Sequence, residues 1–324
     1  MFRSLLGNGR RYLFNLVDTP AVILLYHRVT RLKSDPQLLA VDPDNFYEQV
    51  RLLKRDYTLL EIDEFAEMAS GHRRLPKKAV VITFDDGYVD NCVEALPILE
   101  SLGAQALFFI TTSNVDTPYE LWWDQLERVF LLDAALPPVL GIRGHSRELR
   151  LPTVSVEDRK VSYARCHWFL KYTRPAERNE IIDNLLANAG LGKEGRPTHR
   201  MMSMAELMKM GRSGSAVIGA HTHNHPVLSL LSYAEQAEEI GKSVKILGTA
   251  LDRKIEYFSY PYGMKRDANE DSMRICRENG FRIACSNHYG QVHSWTDPVR
   301  LPRVLVRNWE RQAFANQLSK FFRY

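Results

Sequence analysis

Three features of this chain predict a parallel, barrel-like α/β fold. Seven short β-rich runs recur, most of them lead into a helix-period segment, and residues capable of chemistry gather where the runs end. The runs are Ala21–Tyr26, Ala79–Phe84, Ala106–Thr111, Ala216–Ala220, Glu256–Tyr260, Phe281–Ser286 and Arg303–Val306. Asp44 or Asn45 is expected to cap a helix through Val50, Leu53 and Lys54. Ser203 with Glu206 and Ser232 with Glu235 have capping-box spacing, and the second opens a helix through Ile240, Val244 and Leu247. From about residue 113 to 198 the rhythm breaks. Trp122-Trp123-Asp124 starts an apolar helical stretch to Leu132, and Pro137-Pro138 stops it. A hairpin is expected around Gly141 to Leu151, then a basic helical pair carrying Trp168 and Tyr172. No Gly/Ser-rich linker bounds this interval, so it reads as a helical insertion between strands three and four.

The 324 residues suffice for one large α/β domain, and 45% hydrophobic with 25% charged content is ordinary for a globular protein. The net charge of +4 is spread among interleaved acids, so no nucleic-acid partner is expected. Cys92, Cys166, Cys276 and Cys285 lack Cys-x-x-Cys spacing and read as thiols of a reducing compartment. No run approaches the length of a membrane span. Residues 1–20 read as a basic amphipathic helix rather than a secretory signal. Its expected role is packing on its own domain, with peripheral contact at an anionic membrane surface as the alternative. The expected location is cytoplasmic, or the inner face of the membrane. The main domain is placed at residues 21–308 and a C-terminal helix at 309–324.

Two distant segments carry the chemistry. Thr83-Phe84-Asp85-Asp86-Gly87 ends an apolar run with two adjacent carboxylates, and His221-Thr222-His223-Asn224-His225-Pro226 presents three imidazoles just after another. Asp-Asp-Gly alone is most often a turn. Histidines at i and i+4 can be aimed at one point by a helical turn or a tight loop. A carboxylate oxygen with two imidazole nitrogens is an open ligand set for zinc or a neighbouring first-row metal. The other carboxylate would be left to act as a base, so a hydrolase is expected.

VVITFDDGYVDN (Val80 to Asn91), HTHNHP (His221 to Pro226) and YFSYPYG (Tyr257 to Gly263) resemble the first three motifs of the NodB-type polysaccharide deacetylases, carbohydrate esterase family 4. The resemblance implies a distorted (β/α)7 barrel, TIM-like, that removes acetyl groups from N-acetylated sugars with a divalent metal. Zinc is expected, with nickel, cobalt or iron(II) as alternatives. By motif, Asp86, His221 and His225 resemble the metal ligands, Asp85 the catalytic base, and Tyr262 the backbone donor to the oxyanion. His223 falls at a variable position. ILLYHRVT (Ile23 to Thr30) is similar to the circularly permuted poly-N-acetylglucosamine deacetylases, which would make His27 the general acid, with His293 as substitute. Many members have Arg-Pro-Pro-Tyr-Gly in the third motif. Here Ser259-Tyr260-Pro261-Tyr262-Gly263 lacks that arginine, so either another residue holds Asp85, with Arg303 or Arg300 the candidates, or the basicity of Asp85 is tuned differently.

The expected substrate is an amino sugar of a polysaccharide or of its lipid-linked or nucleotide-linked precursor. One of Trp122 and Trp123 is expected in the core and the other against a sugar ring, with Asp124 on a hydroxyl. The rival readings are another amide hydrolase on this fold and a non-catalytic carbohydrate-binding protein.

Overall fold

The computed structural model describes residues 14–132, 134–144 and 148–322. Most of the expected N-terminal helix lies outside the described residues; residues 14–17 are helical. The strands are β1 (Ala21–Tyr26), β2 (Arg28–Val29), β3 (Ala40–Val41), β4 (Thr58–Leu59), β5 (Ala79–Phe84), β6 (Ala106–Ile110), β7 (Val139–Arg143), β8 (Glu148–Pro152), β9 (Ala216–Ala220), β10 (Tyr257–Ser259), β11 (Ile283–Cys285) and β12 (Val304–Leu305). The main sheet runs β11-β10-β9-β6-β5-β1-β12 and every pairing in it is parallel. In space the seven predicted strands therefore follow their chain order.

Residues 301–305 close the ring. Leu301 bridges β11 at Cys285, and three residues later Val304 pairs with Leu24 of β1. The result is a distorted seven-stranded barrel, as the sequence predicts. Predicted ends overrun by a residue or two: β10 stops at Ser259 and β11 at Cys285. Sequence reading missed β4, which lies parallel beside the start of β5, and the small parallel pair β2–β3. Each of these strands has only two residues, too short for a periodic signal.

β1 and β5 are buried along their whole length, which explains their unbroken apolar sequence. One face of each strand meets the helices. There Tyr26, Phe84 and Phe108 stack across three neighbouring strands at 5.3 and 4.7 Å. The other face, with Ile23, Val81, Leu107, Phe109 and Leu301, fills the lumen. This alternation positions the site, because Val81, Thr83 and then Asp85 share the lumen face.

The helices are α1 (Pro43–Asp56), α2 (Ile62–Ala69), α3 (Leu96–Leu102), α4 (Trp122–Phe130), α5 (Val156–Lys171), α6 (Pro175–Asn188), α7 (Met204–Gly211), α8 (Tyr233–Leu251), α9 (Glu270–Glu278) and α10 (Arg311–Ser319). α1 is capped by Asp42, not by Asp44 or Asn45. Pro43 takes the first helical position, where its fixed φ suits the turn and its missing N–H costs nothing. Both predicted capping boxes form, at Ser203–Glu206 and Ser232–Glu235. Between β6 and β9 stand α4, the antiparallel hairpin β7–β8, α5, α6 and α7. α4 through α6 pack around an apolar cluster of their own that includes Leu126, Phe130, Leu140, Cys166, Ile182 and Leu186. No helix among the described residues is long and apolar enough to cross a membrane.

Candidate metal centre

β5 delivers Asp85 to the top of the lumen, but in extended backbone its neighbour would point the opposite way. Asp86 leaves the strand with φ 79°, and Gly87 follows at φ 91°. That left-handed turn swings the second carboxylate back beside the first. A Cβ on Gly87 would press on Ile110 at 3.1 Å, so glycine is required twice over. After β9, Thr222 at φ 64° and His225 at φ 52° fold the histidine segment into a tight loop, not a helical turn. Tyr262 sits at φ 59°. Of the eight non-glycine residues with positive φ among those described, four surround this one point, so backbone strain is concentrated there.

The loops bring Asp86, His221 and His225 together, all at most 5% exposed. Asp86 Oδ1 lies 3.6 Å from His221 Nε2 and 3.5 Å from His225 Nε2, and the two nitrogens are 3.2 Å apart. A tetrahedral ion with bonds of about 2.1 Å holds its ligands roughly 3.4 Å from one another, so the set fits zinc-like coordination. The donor chemistry agrees. His221 Nδ1–H donates to Ser259 O at 2.7 Å, which leaves the Nε2 lone pair facing Asp86 and His225. Burial lowers the proton affinity of both imidazoles, and for His225 its neighbours His221 and Arg178 push it further down. Burial and then Asp85 raise Asp86 well above the carboxylate range. The Asp86 oxygen and two neutral imidazoles thus face one point, and a bound cation there would offset the burial and the Asp85 charge that oppose Asp86 ionisation.

Asp85 is held differently. Arg303, 1% exposed, forks onto it with Nη1 to Oδ1 at 2.8 Å and Nη2 to Oδ2 at 2.6 Å. Ser259 Oγ adds a bond at 3.3 Å. Arg303 is itself pinned by Ser286 O and Thr83 Oγ1. Burial would raise the Asp85 carboxyl, but the charge of Arg303, then His221 and the Arg303 hydrogen bonds, hold it down to about 2. Arg303 thus stands where the third-motif arginine is missing. Arg300 is placed elsewhere, in a short 3-10 turn beside His288.

His27 follows β1 at the same end of the barrel and is half-buried, with its Nδ1 enclosed and unpartnered. Burial lowers its proton affinity; Asp85 partly offsets this, and Arg303 and His221 add to it, bringing it to about 4. The residue before it, Tyr26, accepts from Asp85 N at 3.0 Å, so His27 leaves β1 next to the backbone that carries Asp85. His293 cannot substitute for it. It lies at the opposite end of the barrel, where Val292 pairs with Ala21, and packs between Phe14 and Trp295 with Asp18 3.7 Å away.

Tyr262 centres a turn in which Gly263 N donates to Pro261 O at 2.6 Å, and its own N–H meets no acceptor among the described residues. Its ring packs 4.6 Å from His225. A Cβ on Gly263 would come within 2.4 Å of Asn287 N, so the turn admits only glycine there. His223 turns away from the centre to Thr112 Oγ1 at 2.9 Å.

The expectation for Asp124 needs correction, and the two tryptophans divide between core and cleft. Both indoles are buried, because α4 uses them to seal the insertion against the metal loop. Trp123 packs 5.0 Å from His225 and donates to Tyr88 Oη. Trp122 lines a cleft of about 370 Å³ that reaches His225. Asp124 is not available to a sugar hydroxyl: it accepts from Tyr88 Oη at 2.6 Å and faces the buried side chains of Glu127 and His199.

Two supports escaped sequence reading. Arg178 of α6, 3% exposed, donates to His225 O at 3.1 Å and Asn224 O at 2.7 Å, so the insertion clamps the histidine loop. Asp90 accepts from Arg28 at 2.8 Å and from Val29 N, and Asn91 Nδ2 donates to His27 O. The tail of the first motif therefore fixes the segment bearing His27. The DGYVDN spelling held that signal; nothing local marked Arg178.

Comparison with known proteins identifies the family and bears out the fold. The family model described as polysaccharide deacetylase matches residues 72–131 and 179–284, more than half of the chain. The chain belongs to the polysaccharide deacetylase family. The residues between the two matched parts, 132–178, hold the β7–β8 hairpin, α5 and the start of α6. Among relatives of this family member, the poly-beta-1,6-N-acetyl-D-glucosamine N-deacetylase of Escherichia coli K12 is 34% identical over 98 residues, 30% of this chain and 15% of that protein. The putative polysaccharide deacetylase YxkH of Bacillus subtilis is 30% identical over 108 residues, 33% of this chain and 37% of that protein. The chain thus matches less than half the length of these relatives. Two solved structures share the fold: IcaB from Ammonifex degensii (TM-score 0.61, 19% identity, 94% of this chain and 97% of that one) and the Streptococcus pyogenes deacetylase PplD in complex with acetate (0.60, 18%, 93% and 98%).

Proposed function

We propose that this polysaccharide deacetylase family member is a metal-dependent hydrolase that removes an N-acetyl group from an amino sugar of a polysaccharide or of its lipid-linked or nucleotide-linked precursor. The observation that carries this is the convergence of Asp86, His221 and His225 beside an Asp85 that is excluded from their set by its fork to Arg303. Asp86, His221 and His225 would hold the ion, which supplies a Lewis acid that polarises the acetyl carbonyl and makes water a better nucleophile at neutral pH. Asp85, ionised and oriented by Arg303, takes a proton from the attacking water. The N–H of Tyr262, which meets no acceptor among the described residues, would stabilise the developing oxyanion. His27 rests neutral, so it would take up the proton that Asp85 removes from water and pass it to the departing amine as the carbon–nitrogen bond breaks, which returns both groups to their starting state.

Acetate release from a panel of N-acetylated oligosaccharides, nucleotide-linked sugars and lipid-linked sugars tests the reading. Release from at least one, lost on chelation and regained with zinc, is expected. Turnover of non-sugar amides alone would overturn it. His27→Ala is expected to lower amide turnover by about 10²–10⁴-fold with metal content unchanged, and to affect an activated ester far less, since that leaving group needs no proton. Equal losses on both substrates would remove His27 from the acid role. Arg178→Ala is expected to weaken metal affinity by about 10–100-fold, because the loop bearing His225 loses its clamp. Zinc titration against a competing chelator would show it, and unaltered affinity would make Arg178 a folding residue only.

A further inference from the structure

On the same end of the barrel as the metal loops, α5 and the residues after β9 and β10 enclose a second cleft of about 990 Å³, lined in part by Arg165, Trp168, Tyr172, Arg174, Leu230 and Arg266. Trp168 is 51% exposed, in contrast to the buried Trp122 and Trp123 beside the metal loop. Its ring lies 5.0 Å from that of Tyr172, and the Arg266 guanidinium packs 4.6 Å over the indole. The platform is rigid. Asp267, fully buried, accepts from Lys171 Nζ at 2.9 Å, from Tyr172 Oη at 3.0 Å and from Met264 N at 3.2 Å. These bonds join α5 to the loop that carries Tyr262. Lys171 Nζ stands 4.5 Å over the Tyr262 ring, and that ring is 4.6 Å from His225. A continuous row of aromatic and cationic groups therefore leads from the metal centre to the cleft.

We infer that this cleft is a distal subsite of the same active centre, holding a pyranose unit some way along the glycan chain from the unit being deacetylated. The inference rests on the function proposed above. An exposed indole beside a phenol offers the flat apolar surface on which the C–H face of a pyranose packs, and guanidinium N–H groups at the rim donate to hydroxyl, acetyl or carboxylate oxygens. The rim also sets a sign. Arg165, Arg174 and Arg266 face one carboxylate, Glu177, in the lining, and Arg174 is partly engaged by Glu235 on α8. An acetylated or acidic unit is accepted there, whereas the free ammonium produced by deacetylation is repelled. The cleft would thus draw in undeacetylated chain and release chain already processed.

The test uses the full chain carrying Asp85→Asn, loaded with zinc, so that substrate binds without turnover. Calorimetric titration with fully acetylated oligosaccharides of increasing length, on several N-acetyl sugar backbones each also assayed for acetate release by the unmodified protein, is expected to show affinity rising with length until the cleft is spanned. Adding Trp168→Ala should weaken the long oligomers about five- to tenfold and remove the length dependence, while Trp168→Tyr restores most of it. The same long oligomer with a free amine at its distal unit should bind several-fold less tightly than the acetylated one. If length dependence persists in Trp168→Ala with a native circular dichroism spectrum, or if the amine-bearing oligomer binds equally well, the subsite is refuted. Should Trp168-dependent binding occur to an oligomer from which no acetate is ever released, the cleft stands and the proposed function fails.

Discussion

Asp85→Asn is expected to lower turnover by about 10²–10⁴-fold while the protein keeps its full complement of metal. Asp85 makes no claim on the ion: both of its oxygens are taken by the Arg303 fork, and Oδ2 is 3.8 Å from His221 Nε2. Replacing one oxygen by an amide removes the base and leaves Asp86, His221 and His225 in place. Asp86→Asn, one residue away, is expected to do the opposite. It deletes the charged member of the ligand set, so metal affinity falls first and activity falls with it. Metal analysis of the two variants beside wild type separates the roles. Equal metal loss in both would show that the neighbours are not divided as proposed.

The second large effect is expected from Arg303→Gln. This arginine is the main force opposing burial at Asp85, which it holds down to about 2. The sign follows from that direction. A carboxylate with a depressed folded-state pKa contributes stability that is present above its ordinary range and lost as pH falls toward the folded value. Without Arg303, burial acts unopposed and the Asp85 pKa rises. The acid limb of kcat/KM should therefore move up by roughly two units, so that the variant loses activity at a higher pH than wild type as the medium is acidified. Leaving a buried carboxylate unpartnered also costs about 3–5 kcal/mol, so thermal stability should fall. Arg303→Lys keeps the charge but loses the fork, and is expected to retain part of the stability with an intermediate limb. An acid limb unmoved in a folded Arg303→Gln variant would show that Arg303 supports the fold without tuning Asp85.

Much of this was legible in the sequence, for definable reasons. The barrel strands could be read because burial on both faces leaves uninterrupted apolar runs such as AVILLY and AVVITF. Asp85, Asp86, His221 and His225 could be read because their spacing is local, and each pair sits in one short loop. Arg303 was reachable because a fork was missing from the third motif, and only a few arginines lay near the closing strand. Asp124 was misplaced, and which tryptophan would reach the cleft was not legible, for the converse reason. Whether Trp123 meets a sugar or His225 depends on how α4 crosses the barrel mouth, and no periodicity in the chain encodes that. Arg178 and the wiring of Asp267 to α5 were invisible on the same ground: both join segments far apart in the chain, through side chains that are unremarkable in isolation.

The central claim is that one divalent ion sits between Asp86, His221 and His225 and is required for acetate release. The most direct measurement is metal content by mass spectrometry on the purified protein and on His225→Ala, each paired with acetate release before and after chelation and zinc return. One ion per chain is expected in wild type, with activity that disappears and returns with it, and neither in the variant. Full acetate release from metal-free protein, or an ion held equally well by His225→Ala, would contradict the account.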